Sequence, residues 1–300
     1  MSLPCRHILV IADIEGSSGC RDYEASSFRT MSWARACRDM TLDVKAVTGA
    51  LLAAGAESVM VKDFHRTGYN IFPELLDERV RLVSGYRNGP VPGIGDPGNA
   101  EVVVMIGMHA PSGSDGFLAH TMTSRIARLL VNGSLLSEAQ VFAASLSPHG
   151  IRPVFFSGCP VACRYAREAI PRLETYEIDK SAGSVSPDVE SWRKGLAEAA
   201  VHSLRNISSE PYVMKGPFEV EMTMRDGSAA AEKLARRWNF TCKDDTIHFR
   251  AEDFHSLYYS LIRICYLTPL VEKLLPHGLG LYNLYGYLGL RWARKHGSLR

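Results

Sequence analysis

Asp13 and Glu15 stand two residues apart, directly after the apolar run Ile8-Leu-Val-Ile-Ala12. In an extended segment residues i and i+2 point the same way, so these carboxylates face one cavity. Side by side they repel unless a cation or a shared proton relieves them. Two further apolar runs end comparably: Ser58-Val-Met-Val-Lys62 in Asp63-Phe64-His65, and Val102-Val-Val-Met-Ile-Gly-Met108 in His109. In a parallel sheet the carboxyl ends of the strands share one edge, which brings Asp13, Glu15, His65 and His109 together. Carboxylates mixed with neutral imidazoles suit zinc or another borderline divalent ion, and the set is too rich in nitrogen for a dedicated calcium cage. Each residue alone has a plainer reading. A lone His at a strand end is more often a hydrogen-bonded structural residue, and Asp13 could cap a helix. Asp63 could orient His65 or bond nearby backbone. The coincidence of three strand ends favours the metal. Gly16-Ser-Ser-Gly19 follows at once and lets the backbone turn sharply. His120 and Glu138 are further candidates, although alone they read as a loop residue and a first-turn helix acid.

The elements that must position these residues form an α/β pattern, a mostly parallel sheet flanked by helices, followed by a smaller α+β domain. Strands are expected at 7–15, 58–63, 80–84, 102–109, 127–131, 153–157 and 173–178. A helix is expected from about Trp33 to Ala54, where Ala34, Cys37, Leu42, Val44, Val47 and Leu51 fall near helical spacing and Gly55 stops it. Others are expected at 138–146 and 160–169. Three prolines and four glycines in 89–98 read as a surface loop. The domains are drawn as a metal-binding catalytic unit at 1–186, an α+β unit at 187–275 and an amphipathic tail at 276–300. The second unit reads as helix, strand (218–224), helix (228–238), strand (246–251) and helix (253–266). In the tail, Leu281, Tyr285, Leu288 and Trp292 share one helical stripe, beside Arg291, Arg294, Lys295 and Arg300. A stripe at this spacing packs on its own domain or a sister subunit more often than on a membrane.

Composition narrows the function classes. The 300 residues are 46% hydrophobic and 22% charged, a globular balance that buries a core without staples. Lys plus Arg (34) against Asp plus Glu (32) leaves a net charge of +2, so no global basic field recruits nucleic acid or an anionic membrane. No apolar run is long enough for a membrane span and no secretory signal is evident, so a cytoplasmic location is expected. The seven cysteines form no paired Cys-x2-Cys clusters and read mostly as reduced core thiols. Cys159 and Cys163, four apart at a helix start, could be a reactive pair; packing is the simpler reading.

At the level of motifs the chain resembles the zinc-dependent D-aminopeptidases of the bacterial dipeptide-transport operon type. The matching blocks are Asp13-Ile-Glu15-Gly-Ser-Ser-Gly, Val61-Lys-Asp63-Phe-His65, Leu82-Val-Ser-Gly85, Gly107-Met-His109-Ala, Ala119-His120-Thr-Met122 and Val131-Asn-Gly-x4-Glu138. More weakly, Ser186-Pro187 and Thr246-Ile-His-Phe-Arg-Ala continue it to about residue 270. The resemblance implies two divalent ions per chain, zinc by expectation, with Asp13 bridging them. Glu15 and His65 would complete one ion's set, His109 and Glu138 the other's. His120 would match the catalytic histidine, which stabilises the oxyanion or carries a proton to the leaving amine. It further implies a small peptide or amide substrate, attacked by a metal-bridging hydroxide, and a ring-shaped homo-oligomer.

The chain also departs from the family. Glu138 is followed by Ala-Gln-Val-Phe142-Ala where an Asn-Ala-like pair is usual, Lys62 stands where Asn precedes the Asp, and Cys159-Pro160 replaces acidic residues. Phe142 and Cys159 are therefore expected to border an altered pocket. Two rivals stay open: a metal phosphoesterase, which the lack of a glycine-rich phosphate loop disfavours, and a non-catalytic binding or scaffold protein.

Overall fold

The computed structural model describes residues 4–181, 188–205 and 208–297. Six strands form a parallel sheet: β1 (His7–Ala12), β2 (Ser58–Asp63), β3 (Val80–Val83), β4 (Val102–Met108), β7 (Arg152–Gly158) and β8 (Glu174–Glu177), in the order β3-β2-β1-β4-β7-β8. Strand alternation sends Ile8, Val10, Ala12, Val102, Val104 and Ile106 to one face, and Leu9, Ile11, Val103 and Met105 to the other. The first face is covered by α1 (Met31–Ala53), α4 (Val189–Ser203) and α8 (Leu275–Gly297), the second by α2 (Glu138–Leu146) and α3 (Pro160–Ala169). Burial on both faces explains why these strands read as continuous apolar runs. Helix α1 begins where the Thr30 hydroxyl accepts the Trp33 N–H (2.9 Å), and Gly55 follows it at φ +106°.

Chain direction reverses its walk across the sheet between β1 and β4, the place where open α/β folds put their ligands. The backbone there is drawn tight. Gly16 N–H donates to the Gly107 carbonyl at 2.7 Å and Asp13 N–H to that of Ile106 at 3.0 Å. Gly107 has φ +70°, and a Cβ on it would lie 2.1 Å from the Asp13 carbonyl oxygen. Gly107→Ala is accordingly expected to cost about 3 kcal/mol or more of stability, through overpacking plus left-handed strain. Urea unfolding measures this, and an unchanged midpoint would contradict the clash.

The second sheet is antiparallel, β10 (Thr241–Lys243), β11 (Thr246–Ala251), β9 (Phe218–Met224), β5 (Ile126–Val131) and β6 (Ser134–Leu135), in that order. Its buried alternates Phe218, Val220, Met222, Ile247 and Phe249 pack with Leu234 of α5 (Ser228–Trp238) and with Leu257 and Leu261 of α6 (Phe254–Tyr266). The strand expected at 127–131 thus forms, but it belongs to this sheet. An isolated six-residue run carries no information about its partner. The smaller sheet therefore draws on residues before 186 as well as after 187, and the expected boundary at 186–187 itself lies outside the described residues.

Two further expectations change. Within 89–98, Val91 and Ile94 are buried in the core of the large sheet, so the segment is a packed loop and not a purely surface one. The tail, with α7 (Pro269–Lys273) before it, is helical as expected, but α8 packs through Gly286, Gly289, Leu290, Ala293 and Gly297. Of the expected stripe Trp292 packs on the core, stacked on Trp33 with ring centroids 6.3 Å apart, while Leu281, Tyr285 and Leu288 are exposed. Glycines allow the close approach: a Cβ at Gly289 would lie 2.1 Å from the ring of Phe28, just before α1, and one at Gly297 2.4 Å from the Ala34 carbonyl oxygen of α1. Arg300 lies outside the described residues. Among the described residues no helix is long and apolar enough to cross a membrane.

Candidate metal centre

The carboxyl ends of β1, β2 and β4 bring Asp13, Glu15, His65 and His109 into one buried cluster. Asp13 faces two ways: its Oδ1 is 3.1 Å from His65 Nδ1, and its Oδ2 is 3.3 Å from His109 Nε2. Glu15 Oε2 lies 3.1 Å from His65 Nδ1 and Glu138 Oε2 3.6 Å from His109 Nε2. The ligand atoms form two groups, Asp13 with Glu15 and His65, and His109 with His120 and Glu138, each within 4.8 Å internally. All five expected ligands and His120 are thus brought together.

Neighbouring groups aim these side chains. The His65 Nε2 faces the Ser26 carbonyl at 2.9 Å, which places a proton on Nε2 and turns Nδ1 toward the carboxylates, where it could bind an ion. Asp63 acts on His65 through the backbone: it accepts the N–H groups of His65 (3.3 Å), Asn70 (2.5 Å) and Ile71 (3.2 Å) and the Asn70 amide (2.9 Å), fixing the turn after β2. His109 Nδ1 faces the Ala110 carbonyl at 3.1 Å, which likewise frees Nε2. Glu138 opens α2 behind a Ser137–Gln140 capping box, where the helix dipole favours an acid. The Met122 N–H donates to its Oε1 at 2.6 Å, leaving Oε2 for the site. Because Glu138 follows β5 and β6, the antiparallel sheet sets its position against the parallel one. The loop after Glu15 is tied down from α1 and α4: Asp43 accepts the Ser18 N–H and hydroxyl, both at 2.7 Å, and Arg193 bonds Asp43 at 2.8 Å. Lys180 donates to the carbonyls of Ser17 and Cys20.

Electrostatically the cluster is short of positive charge. Burial and the Glu15 carboxylate push Asp13 up to about 7. Burial opposes ionisation of Glu15 as well, yet His65 beside it holds it well below the usual carboxylate range. Burial likewise opposes charging His65, but the Glu15 and Asp13 carboxylates push it up to about 10; Glu138 and Asp13 do the same for His109. These imidazole protons are what a divalent ion must displace. Glu15 Oε2 and His109 Nε2 are buried without a hydrogen bond, in ion-pair range of their neighbours but not aligned with them. Two unsatisfied buried ligand atoms aimed into one cluster of carboxylates and imidazoles fit a divalent cation.

His120 differs from the rest. Its Nδ1 faces the Leu118 carbonyl at 2.9 Å, its ring stacks on His109 (centroids 3.8 Å apart), and burial and His109 hold its pKa down. Neutral with the proton on Nδ1, it offers Nε2 as a lone pair.

The cluster opens into a cavity of about 1230 Å³. Phe142 lines it, against Phe64 (centroids 4.3 Å apart), as expected. Cys159 does not: it is buried and its Sγ accepts the Ala162 N–H at the start of α3. All seven cysteines are free, and burial with the Glu177 charge pushes the Cys163 thiol up to about 12, against a reactive pair. Lys62 is buried outside the cavity; it donates to the Gly85 carbonyl and lies 5.5 Å from the centre of the Phe64 ring, behind the cavity wall.

Comparison with known proteins adds three findings. The sequence profile of a family described as D-aminopeptidase matches residues 7–262. A D-aminopeptidase of Bacillus subtilis (strain 168) is 23% identical over 171 residues, 56% of this chain and 62% of that protein, so the alignment spans only part of that relative's length. The structure of the zinc-dependent D-aminopeptidase DppA from Bacillus subtilis, described as a self-compartmentalizing protease, superposes with a TM-score of 0.77 at 20% identity, covering 86% of this chain and 96% of that one.

Proposed function

Because the chain belongs to the D-aminopeptidase family, we propose that it is an aminopeptidase-like metallohydrolase that cleaves peptide or related amide bonds with two divalent ions, zinc by preference. One observation carries the reading: Asp13 turns one oxygen to each of two ligand groups, at 3.1 and 3.3 Å from His65 and His109, the arrangement a bridging carboxylate needs. Glu15 and His65 complete one set, His109 and Glu138 the other. Two ions held there would lower the pKa of a shared water and polarise the scissile carbonyl. The protein's own part is then positioning and proton transfer. The carbonyls of Ser26 and Ala110 hold the two ligand imidazoles in their orientations, and the Met122 N–H leaves one oxygen of Glu138 free. His120 Nε2 accepts the proton from the attacking water and returns it to the leaving amine. The zinc dependence and self-compartmentalization of DppA support zinc and a homo-oligomer here.

The test joins metal content to turnover. Protein prepared without chelators is expected to carry about two divalent ions per chain by elemental analysis, and to hydrolyse amino acyl amides with a free amine. Dialysis against a chelator should abolish both, and zinc, cobalt or manganese should restore them. Protein that takes up none of these ions would overturn the site, and turnover of phosphate esters alone would overturn the substrate class.

A further inference from the structure

The cavity has a wall that the family match does not cover. Helices α7 and α8 lie beyond residue 262, and Val271, Leu275, Leu279, Tyr282 and Tyr285 from them face the same cavity as Asp13, Glu15, His65, His120 and Glu138. This wall is anchored. Asn283 exchanges two hydrogen bonds with the backbone of Tyr86, both at 3.0 Å, and the glycine face of α8 seats its second half on α1. The rings of Phe64, Tyr86, Phe142 and Tyr258 line the same cavity.

Four of the cavity's tyrosines present carbon and not hydroxyl. Tyr86 donates to the Phe64 carbonyl at 3.3 Å, Tyr258 to that of Pro92 at 3.3 Å, Tyr282 to that of Arg66 at 3.4 Å, and Tyr266 to that of Met122. With those hydroxyls already bonded, these four side chains offer a ligand ring surface, while Arg66, Arg87, Arg225 and His255 add polar groups elsewhere in the lining. The acids lining the cavity are Asp13, Glu15 and Glu138, all at its floor among the ligand groups. At about 1230 Å³ it exceeds the roughly 300–1,000 Å³ typical of sites for drug-sized ligands. A dipeptide of small residues would leave most of it to water, and apolar walls gain only from apolar surface brought against them.

We propose that α7 and α8 form the specificity wall of this site, and that the substrate is a free-amine amide or peptide carrying a bulky apolar side chain, aromatic by preference. This rests on the amide-hydrolase reading, and it assigns Leu279 and Tyr282 as residues that select the side chain. One methylene in an apolar pocket discriminates about 10- to 200-fold, so a phenyl ring against a methyl group should reach at least the middle of that range.

The experiment uses the full chain loaded with zinc, with both enantiomers of phenylalaninamide and alaninamide as probes. Wild-type kcat/KM should favour phenylalaninamide by about 10²-fold, and Leu279→Ala and Leu279→Asp should each cut that ratio at least about 10-fold with zinc content retained. Leu279 is half-exposed to the cavity, so the alanine variant tests the wall even if the aspartate variant unfolds. The two amides are also titrated calorimetrically against the same proteins. If neither is hydrolysed, the hydrolase reading fails, while tighter binding of phenylalaninamide that the Leu279 variants lose still supports the wall. Turnover or binding without an aromatic preference, or a preference that the Leu279 variants leave intact, overturns the proposal.

Discussion

Asp13→Ala is expected to remove amide hydrolysis almost entirely, lowering kcat/KM by about 10⁴-fold or more and dropping the metal content from about two ions per chain to one or none. Among the described residues Asp13 is the one acid in ion-pair range of both His65 and His109, so its loss would take a ligand from each group at once. What remains on one side is Glu15 with His65, two ligands where a catalytic zinc takes three from the protein. Folding is controlled for by Asp13→Asn, which keeps the shape and an oxygen to accept the Ile14 N–H but removes the negative charge and leaves one neutral oxygen, too few for bridging. Elemental analysis with steady-state kinetics on both variants decides the matter. An Asp13→Ala protein that holds two ions and turns over amides at the wild-type rate would remove Asp13 from the site.

The floor of the site is legible in the sequence because strand geometry is simple. Parallel pairing puts the ends of β1, β2 and β4 on one edge, so apolar runs ending in Asp, Glu and His announce a shared place. The expected strand over 7–15 stops at Ala12, however, and Asp13 and Glu15 come together through the turn after it, where the Ser17 N–H donates to the Ile14 carbonyl at 3.0 Å, and not through a period of two. Glu138 and His120 carry no such mark. Glu138 comes from a helix start behind the antiparallel sheet, and His120 from a loop fixed by the bond of its own N–H to the Ala110 carbonyl at 3.1 Å. No local pattern foretells that two sheets meet there; only a motif match across six blocks finds those residues.

The wall was hidden for a different reason. The apolar stripe Leu281, Tyr285, Leu288, Trp292 suggests a face that packs within the fold, yet only Trp292 of it does so; the packing face runs Gly286, Gly289, Leu290, Ala293 and Gly297, and its three glycines carry no apolar signal. Close helix approach through glycines leaves the larger side chains pointing elsewhere, Tyr285 among them toward the cavity. Likewise the hydrogen bonds that consume the tyrosine hydroxyls join residues as much as 216 positions apart, Tyr282 to Arg66, and no spacing rule reaches across that distance.

His120→Ala should separate chemistry from metal binding. With Nδ1 committed to the Leu118 carbonyl, the ring has one free nitrogen, and its stacking 3.8 Å from His109 places that nitrogen beside the second ligand group and within reach of Glu138. Such a nitrogen serves either as a ligand or as a proton carrier, and the two roles have different consequences. As a carrier, its loss lowers kcat by a factor of about 10² to 10⁴, leaves KM nearly unchanged and leaves the metal content at the wild-type value, with free imidazole restoring part of the rate. His109→Ala serves as the contrast, because removing a buried ligand nitrogen should release metal first and activity with it. The carrier role follows from the make-up of the second group: Asp13, His109 and Glu138 would already give one ion the three protein ligands of a catalytic site, so a fourth from His120 would close the position the substrate needs. Equal metal loss in the His120→Ala and His109→Ala proteins would make His120 a ligand and leave the proton transfer to another group.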